Sequence, residues 1–349
     1  MNLDEKSLFE VVESSIIQKY NNLNVKGDVD NSVLAGFLLY DSFKKELSVI
    51  SLATGTKVMS GDQREKTAKI GPVFLHDCHA EVLSHRAFQV WLWENMNNRE
   101  VFDEHGNLKE NISFHFYSST PPCGDCSVHN INGSVSVQTG SKPFGSQQSD
   151  LLSTPPNIVR GKPGRGSRSQ SVSCSDKICL WLNCGIEGSL LSNFITGIKI
   201  DSVSIGNGNL ESIKRALFKR VENDVCTKIC VGESKWVQKN ESPCASSLVW
   251  WNGAKKPELI AAKYGRKLGV IPKRQEEPNF YSLLCDASML TRYLNHEHLD
   301  EIKLKNAKDK STEYNNKKKN IKQKLTKYGY DWAAKFPDEK EWVLKLKNM

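Results

Sequence analysis

Asp77-Cys78-His79-Ala80-Glu81 and, beyond one intervening strand pattern, Pro122-Cys123-Gly124-Asp125-Cys126 are the stretches on which the fold turns. After the first, Ala80, Leu83, Ala87, Val90 and Trp91 recur at helical intervals to about Met96, so the His-x-Glu opens a helix. Before the second, Ile112, Phe114 and Phe116 alternate with Ser113, His115 and Tyr117, the pattern of a half-buried strand that ends at the Pro121-Pro122 pair. Upstream, Ser32 to Tyr40 and Glu46 to Leu52 read as buried strands joined by a turn at Asp41-Ser42. Leu8, Val11, Val12, Ile16 and Ile17 predict an amphipathic helix over Ser7 to Tyr20. Strand, strand, helix, strand, helix, with metal-type residues at both helix starts, predicts an α/β sandwich. Its site belongs where helix N-termini meet strand ends, the place α/β folds put their ligands.

The residue types at those helix starts suit one chemistry. Zinc takes thiolate and imidazole ligands in a tetrahedron; a catalytic site leaves the fourth position to water and lowers that water's pKa to about 7. A His and a Glu two residues apart on a first helical turn point in neighbouring directions, so one can ligate while the other reaches the same water. A lone His-x-Glu is weak evidence. Joined to a Pro-Cys-x-x-Cys across a strand, it matches the signature of zinc-dependent nucleobase deaminases. His79 and Cys123 are then ligands and Glu81 the proton shuttle, while the third ligand stays open. Cys126 is the default by spacing, and Cys174 is the alternative, standing in the polar, turn-like Ser173-Cys174-Ser175-Asp176-Lys177.

The remaining composition bounds the class. With 38% apolar and 25% charged residues in 349, the chain is expected to form an ample core. Ten Cys are too few for a disulfide scaffold, so the remaining thiols read as small buried apolar groups. No apolar run approaches membrane-spanning length, and Met1 to Glu10 lacks the basic-then-apolar order of a secretory signal; a soluble cytoplasmic or nuclear protein is the expectation. The net charge of +8 is unevenly spread. Residues 1–302 carry 34 charges of each sign, and the tail from Lys303 holds 14 Lys against 6 acids. A segment at about 127–172 has a loop's composition, and Arg160, Lys162, Arg165 and Arg168 help to make it basic. Further on, a strand is expected over Ile198 to Ile205, a helix over Leu210 to Val221, and helix-compatible sequence over Leu299 to Lys327. Residues 223–300 do not parse.

Beyond these stretches, Leu34-Ala35-Gly36, Ser51 to Lys57, Asp77 to Glu81, Pro122 to Asp125, Ser173 to Lys177 and Gly185 to Leu191 carry a resemblance in order along most of the chain. They resemble the blocks of the adenosine deaminases acting on RNA, most closely the tRNA-specific branch. The resemblance implies one cytidine-deaminase-like domain over residues 1–349, with a flexible basic insertion, whose Arg160, Lys162, Arg165 and Arg168 become candidates for neutralising an RNA backbone, and a helical, Lys-rich C-terminal extension from about residue 300. It implies zinc on His79, Cys123 and Cys174, with Glu81 shuttling protons in hydrolytic deamination of adenosine to inosine. Val33, Thr56 and Lys57 match positions lining the target nucleoside, and the implied substrate is adenosine 37 of tRNA-Ala, with no obligate protein partner.

The resemblance also implies a buried inositol hexakisphosphate. Its matching positions are Lys308, Tyr314, Lys318, Trp332 and Lys335 in the tail and Arg86, Lys177, Trp181 and Ser189 on the catalytic side, with Asp77 beside Lys177 in a relay to the metal. His85 and Leu180 stand where relatives often have Arg. Editing of double-stranded RNA is the alternative activity, disfavoured because the segment ahead of Ser32 has no room for a double-stranded-RNA-binding domain. A non-catalytic RNA- or inositol-phosphate-binding protein would need a broken site, whereas His79, Glu81, Cys123 and Cys174 are all present.

Overall fold

A computed structural model describes residues 3–26, 29, 32–131, 134–137, 140–143, 156–164, 167–196, 198–222, 227–238, 244–274, 277–327, 332 and 341–345. The first half runs α1 (Glu5–Asn22), β1 (Leu34–Asp41), β2 (Glu46–Thr54), β3 (Thr56–Val58), α2 (Gly61–Ala68), β4 (Asp77–His79), α3 (Ala80–Asn95) and β5 (Ile112–Ser118). The insertion contributes β6 (Val128–Ile131), β7 (Ser134–Val137), β8 (Lys142–Pro143) and β9 (Arg160–Gly161). Then follow α4 (Cys174–Cys184), α5 (Gly188–Leu191), β10 (Ser202–Gly206), α6 (Leu210–Leu217), β11 (Lys228–Gly232), β12 (Ser246–Trp251), β13 (Glu258–Ala261) and β14 (Arg266–Lys267). The C-terminal part is α7 (Asp286–Glu297), β15 (Glu301–Lys303), α8 (Leu304–Asp309), α9 (Thr312–Thr326) and β16 (Val343–Lys345).

Eight strands form one mixed sheet in the order β11-β10-β5-β1-β2-β12-β13-β14. β10 pairs parallel with β5 and β11, and the other neighbours are antiparallel. This is the mixed α/β sandwich with helices on both faces that the element order predicts. β1 shows why both faces are covered. Leu34 and Leu38 pack with Leu8, Phe9, Val12 and Ile16 of α1, while Ala35 and Phe37 join the larger core on the side of α3. Gly36 permits the close approach of α1, because a Cβ there would lie 2.4 Å from Ile16 Cδ1 and 2.6 Å from the Ser51 carbonyl oxygen.

Double coverage corrects the reading of β5. Its alternation suggests a solvated face, yet His115 and Tyr117 are buried. The Tyr117 hydroxyl donates to Glu13 Oε1 of α1 at 2.8 Å, and His115 Nδ1 lies 2.8 Å from Ser202 Oγ of β10. The polar positions face a covering helix and a neighbouring strand. The second helix start also differs. Cys123 is followed by a 3₁₀ turn, Asp125–Ser127, and the next α-helix begins at Cys174.

Residues 223–300 resolve into strands β11 to β14 and helix α7. The short, charged β13 and β14 lie at one edge of the sheet, where alternation carries little signal. The tail is part of the body. Leu304, Ala307, Tyr314, Ile321, Leu325 and Leu344 belong to the larger core. Among the described residues, no helix is long and apolar enough to cross a membrane.

Burial pushes the His115 imidazole down to about 4, so the folded chain holds it neutral. The unfolded chain takes up a proton below the ordinary value of about 6.5. Stability is therefore lost as pH falls from about 6.5 towards 4, at up to about 1.4 kcal/mol per pH unit. His115→Asn should flatten the urea-unfolding free energy against pH by about one proton over that window.

Candidate metal centre

The register between β3 and β4 sets Thr56 opposite His79 and Lys57 opposite Cys78. His79 is the N-cap of α3, its amide donating to Asp77 Oδ1 at 3.1 Å. Cys123 follows β5 on a turn that needs Gly124, whose φ is +105° and whose added Cβ would lie 2.1 Å from Ser173 Oγ. Cys174 is the first residue of α4, which Ser173 caps by accepting from the Asp176 amide. Three distant segments thus deliver one imidazole and two sulfurs.

The ligand atoms of His79, Cys123 and Cys174 all lie within 4.8 Å of one another. His79 Nδ1 is 3.8 Å from Cys123 Sγ and 3.6 Å from Cys174 Sγ. A tetrahedral zinc, with bonds of about 2.0–2.1 Å to nitrogen and 2.3 Å to sulfur, sets that separation at about 3.6 Å. The donor set therefore supports a zinc site. The hydrogen bond from Cys174, with Lys162 and His79 adding to it, holds the Cys123 thiol well below the ordinary range. Cys126 is outside the cluster; burial pushes its thiol up to about 12, which favours the neutral thiol.

Glu81 stands in the first turn of α3, buried, and its Oε2 has no hydrogen-bond partner among the described residues. Burial raises its pKa, which suits a group that must both accept and release a proton. A cavity of about 560 Å³ opens onto this centre, lined by Thr56, Lys57, His79, Cys123 and Lys162 together with Lys263. Val33 is not among its lining residues and packs against the core.

The insertion residues correct an expectation. Arg160 and Lys162, read as RNA-facing, are buried, at 1% and 0% exposure. Arg165 lies outside the described residues, and Arg168 is half-buried. Lys162 Nζ donates to both Asp77 oxygens at 2.9 and 2.8 Å and to Cys174 Sγ at 3.1 Å. Its ammonium is the functional group that sequence reading missed, because a Lys in loop-like sequence carries no local sign of an inward course. Burial alone would raise the Asp77 carboxyl, but Lys162 and Lys177 outweigh it and hold it well below the carboxylate range.

Lys177 Nζ also contacts Asp77, and it lines a second cavity of about 340 Å³. Arg86, Trp181 and Ser189 stand in the same wall, as do Lys308, Tyr314, Lys318 and Trp332; Lys335 lies outside the described residues. Six Lys and Arg face three carboxylates there. Arg86 and Lys308 share Asp286, at 2.8 and 2.7 Å. Lys318 is pushed down to about 8 by burial, with Lys322 and Lys308 adding to the effect, the state of an ammonium short of counter-charge. Such a wall fits a buried polyanion. Of the described tail lysines, however, only Lys308, Lys318 and Lys322 line this cavity; Lys303, Lys305, Lys310, Lys317, Lys319 and Lys327 are exposed.

Comparison with known proteins agrees with this geometry. The family model for the adenosine-deaminase (editase) domain matches residues 51–336. The chain is 32% identical over 214 residues to the tRNA-specific adenosine deaminase 1 of Drosophila melanogaster, covering 55% of this chain and 53% of that protein. It is 27% identical over 213 residues to the protein of the same name from Saccharomyces cerevisiae, covering 50% and 52%. Similarity to the double-stranded RNA-specific editase Adar of Drosophila melanogaster is 29% over 221 residues, covering 55% and 32%. The chain spans about half the length of the tRNA-specific relatives it matches.

Removing one thiolate from the cluster should remove the metal. Cys174→Ala is expected to lose stoichiometric zinc in elemental analysis of purified protein, and Cys126→Ala to keep it. The opposite pattern would show that Cys126 is the ligand.

Proposed function

The chain belongs to the adenosine-deaminase (editase) domain family, and from that premise we propose that it deaminates adenosine 37 of tRNA-Ala to inosine hydrolytically. The observation that carries the reading is the His79, Cys123 and Cys174 cluster, with Glu81 in the first turn of the helix that His79 caps and a nucleoside-sized cavity whose wall includes His79 and Cys123. The similarity to relatives named tRNA-specific supports the choice of substrate. The proposal includes a cytoplasmic or nuclear site of action and no obligate protein partner.

His79 Nδ1, Cys123 Sγ and Cys174 Sγ would hold zinc. When bound, zinc supplies Lewis acidity, drawing the pKa of a water towards about 7 and stabilising negative charge as it develops. This chain's residues do the rest. Glu81, buried and raised in pKa, takes one proton from the attacking water and delivers it to the purine ring nitrogen, then takes the second from the new hydroxyl on carbon 6 and delivers it to the amino group, which leaves as ammonia. One water is consumed for each ammonia released. Lys162 holds its ammonium 3.1 Å from Cys174 Sγ, where it opposes part of the rise that burial and the neighbouring Cys123 impose on that thiol. Thr56 and Lys57, on the strand paired with β4, stand in the cavity wall to meet ribose and phosphate. The base must leave any stack to reach this depth, which an anticodon-loop purine does at less cost than one in a duplex.

We further infer that the basic cavity holds inositol hexakisphosphate as a structural cofactor. Arg86, Lys177, Lys308 and Lys318 would neutralise it, while Trp181, Ser189, Tyr314 and Trp332 complete the wall. The polyanion would supply the counter-charge that Lys318 lacks.

Incubation with tRNA-Ala transcript should place inosine at position 37, read by sequencing, and a long RNA duplex should stay unedited. Inosine in the duplex alone would make the chain a double-stranded RNA editor, and none in either would end the enzyme reading. Glu81→Gln should retain zinc and lose about a hundredfold to ten-thousandfold in kcat. Denatured, desalted protein should release phosphate in stoichiometric excess, and its absence would remove the polyanion.

A further inference from the structure

Two arginines of one helical segment reach beneath both cysteine-bearing stretches. Arg215, on α6, donates from Nη2 to the carbonyl oxygens of Asp125 at 2.8 Å and Val128 at 2.6 Å, and from Nε to Asp125 Oδ2 at 3.1 Å. Arg220, on the 3₁₀ turn Lys219–Val221 that follows, pairs with Asp176 Oδ1 at 2.7 Å, both side chains being fully buried. Its Nε donates to the Ala216 carbonyl oxygen at 2.6 Å, tying it back to α6.

The two carboxylates are placed alike. Asp125 lies two residues beyond Cys123, and Asp176 two residues beyond Cys174. Asp125 Oδ1 accepts the Asn157 amide at 2.9 Å; Asp176 Oδ2 accepts Ser173 Oγ at 2.6 Å and the Arg160 amide at 3.1 Å. Between them the cysteine segments are tied together directly. The Cys174 amide donates to Cys123 Sγ at 3.3 Å and the Ser175 amide to the Cys123 carbonyl oxygen at 3.0 Å.

We propose that Arg215 and Arg220 are positioning residues for the metal centre, clamping the Cys123 turn to α6 and the start of α4 to the 3₁₀ turn that follows α6, and so fixing the distance between the two sulfurs. The proposal rests on the zinc reading above. Neither arginine lines the substrate cavity or the basic cavity, so neither acts by touching substrate or polyanion. A buried ion pair adds little net stability over apolar packing, because desolvation of both partners offsets their attraction. What it adds is directional: Arg215 makes three hydrogen bonds from one planar group, and Arg220 joins two segments through one carboxylate. Groups behind metal ligands orient them, and losing such a group costs metal affinity about 10–100-fold.

The test uses the full chain and the variants Arg215→Lys, Arg215→Met, Arg220→Lys and Arg220→Met. Zinc affinity is measured by chelator competition, the visible spectrum after cobalt substitution reports ligand geometry, and apo-protein thermal midpoints report the fold. Affinity should fall about 10–100-fold in the Met variants, with shifted cobalt bands and partial recovery in the Lys variants. Arg215 sits at the edge of the network, 18% exposed, so its variants test the clamp even where loss of the buried Arg220 unfolds the chain. Zinc affinity and cobalt spectra identical to the parent in the Arg215 variants would overturn the proposal, whatever their thermal midpoints. A parent chain that binds no zinc would overturn the metal reading itself, and that result is seen before any variant is made.

Discussion

A cluster of one imidazole and two thiols has to be held together by segments that lie 51 residues apart at their farthest neighbouring step, Cys123 to Cys174. Each arrives at or near a boundary between structural elements, where the adjoining strand or helix anchors the backbone. β4 turning into α3 presents His79, the turn after β5 presents Cys123, and the first residue of α4 presents Cys174. The strand order places β5 next to β1 and β10, so the turn carrying Cys123 leaves the middle of the sheet, where both faces are packed. Local rigidity at the site is inherited from that packing.

The same constraint explains the charges inside. Asp77, Lys162, Asp176 and Arg220 are buried, a costly arrangement unless each charge meets an opposite one with good geometry. Asp77 is the hinge of this economy of charge. It joins Lys162, which touches Cys174, to Lys177, which faces the basic cavity. The metal cluster and the basic cavity therefore share one carboxylate, so the electrostatic state of one is felt at the other. The insertion is part of this arrangement, since β9 carries Arg160 and the Lys that follows Gly161 inward.

Much of the architecture was legible because it is local. The periodicity of α1, α3 and α6 and the apolar runs of β1 and β2 follow from side-chain spacing along a helix or strand. The half-buried reading of β5 failed because alternation reports polarity, and here the polar side is covered by α1, whose Glu13 accepts the hydrogen bond of the Tyr117 hydroxyl. The 223–300 region did not parse because β13 and β14 are short edge strands with charged residues. The tail was legible as a packed piece through its aromatic residues, yet its charge is only partly turned inward: Lys308, Lys318 and Lys322 face the cavity while most of its described lysines face solvent.

The sequence by itself determined the chemistry: His79, Glu81 and Cys123 stand at element starts recognisable from spacing, and thiol, imidazole and carboxyl groups keep their ligand and proton-transfer properties wherever the chain puts them. Local spacing left Cys126 and Cys174 open and the family resemblance favoured Cys174, the residue the fold brings into the cluster; only the tertiary structure decided that Lys162 lies against a thiol where an RNA contact was expected, and that Arg215 and Arg220 stand behind both cysteine segments. The physical reason is range. Backbone preference and side-chain period act over a few neighbouring residues, whereas a buried charge is stable only beside a partner that the fold brings from far along the chain.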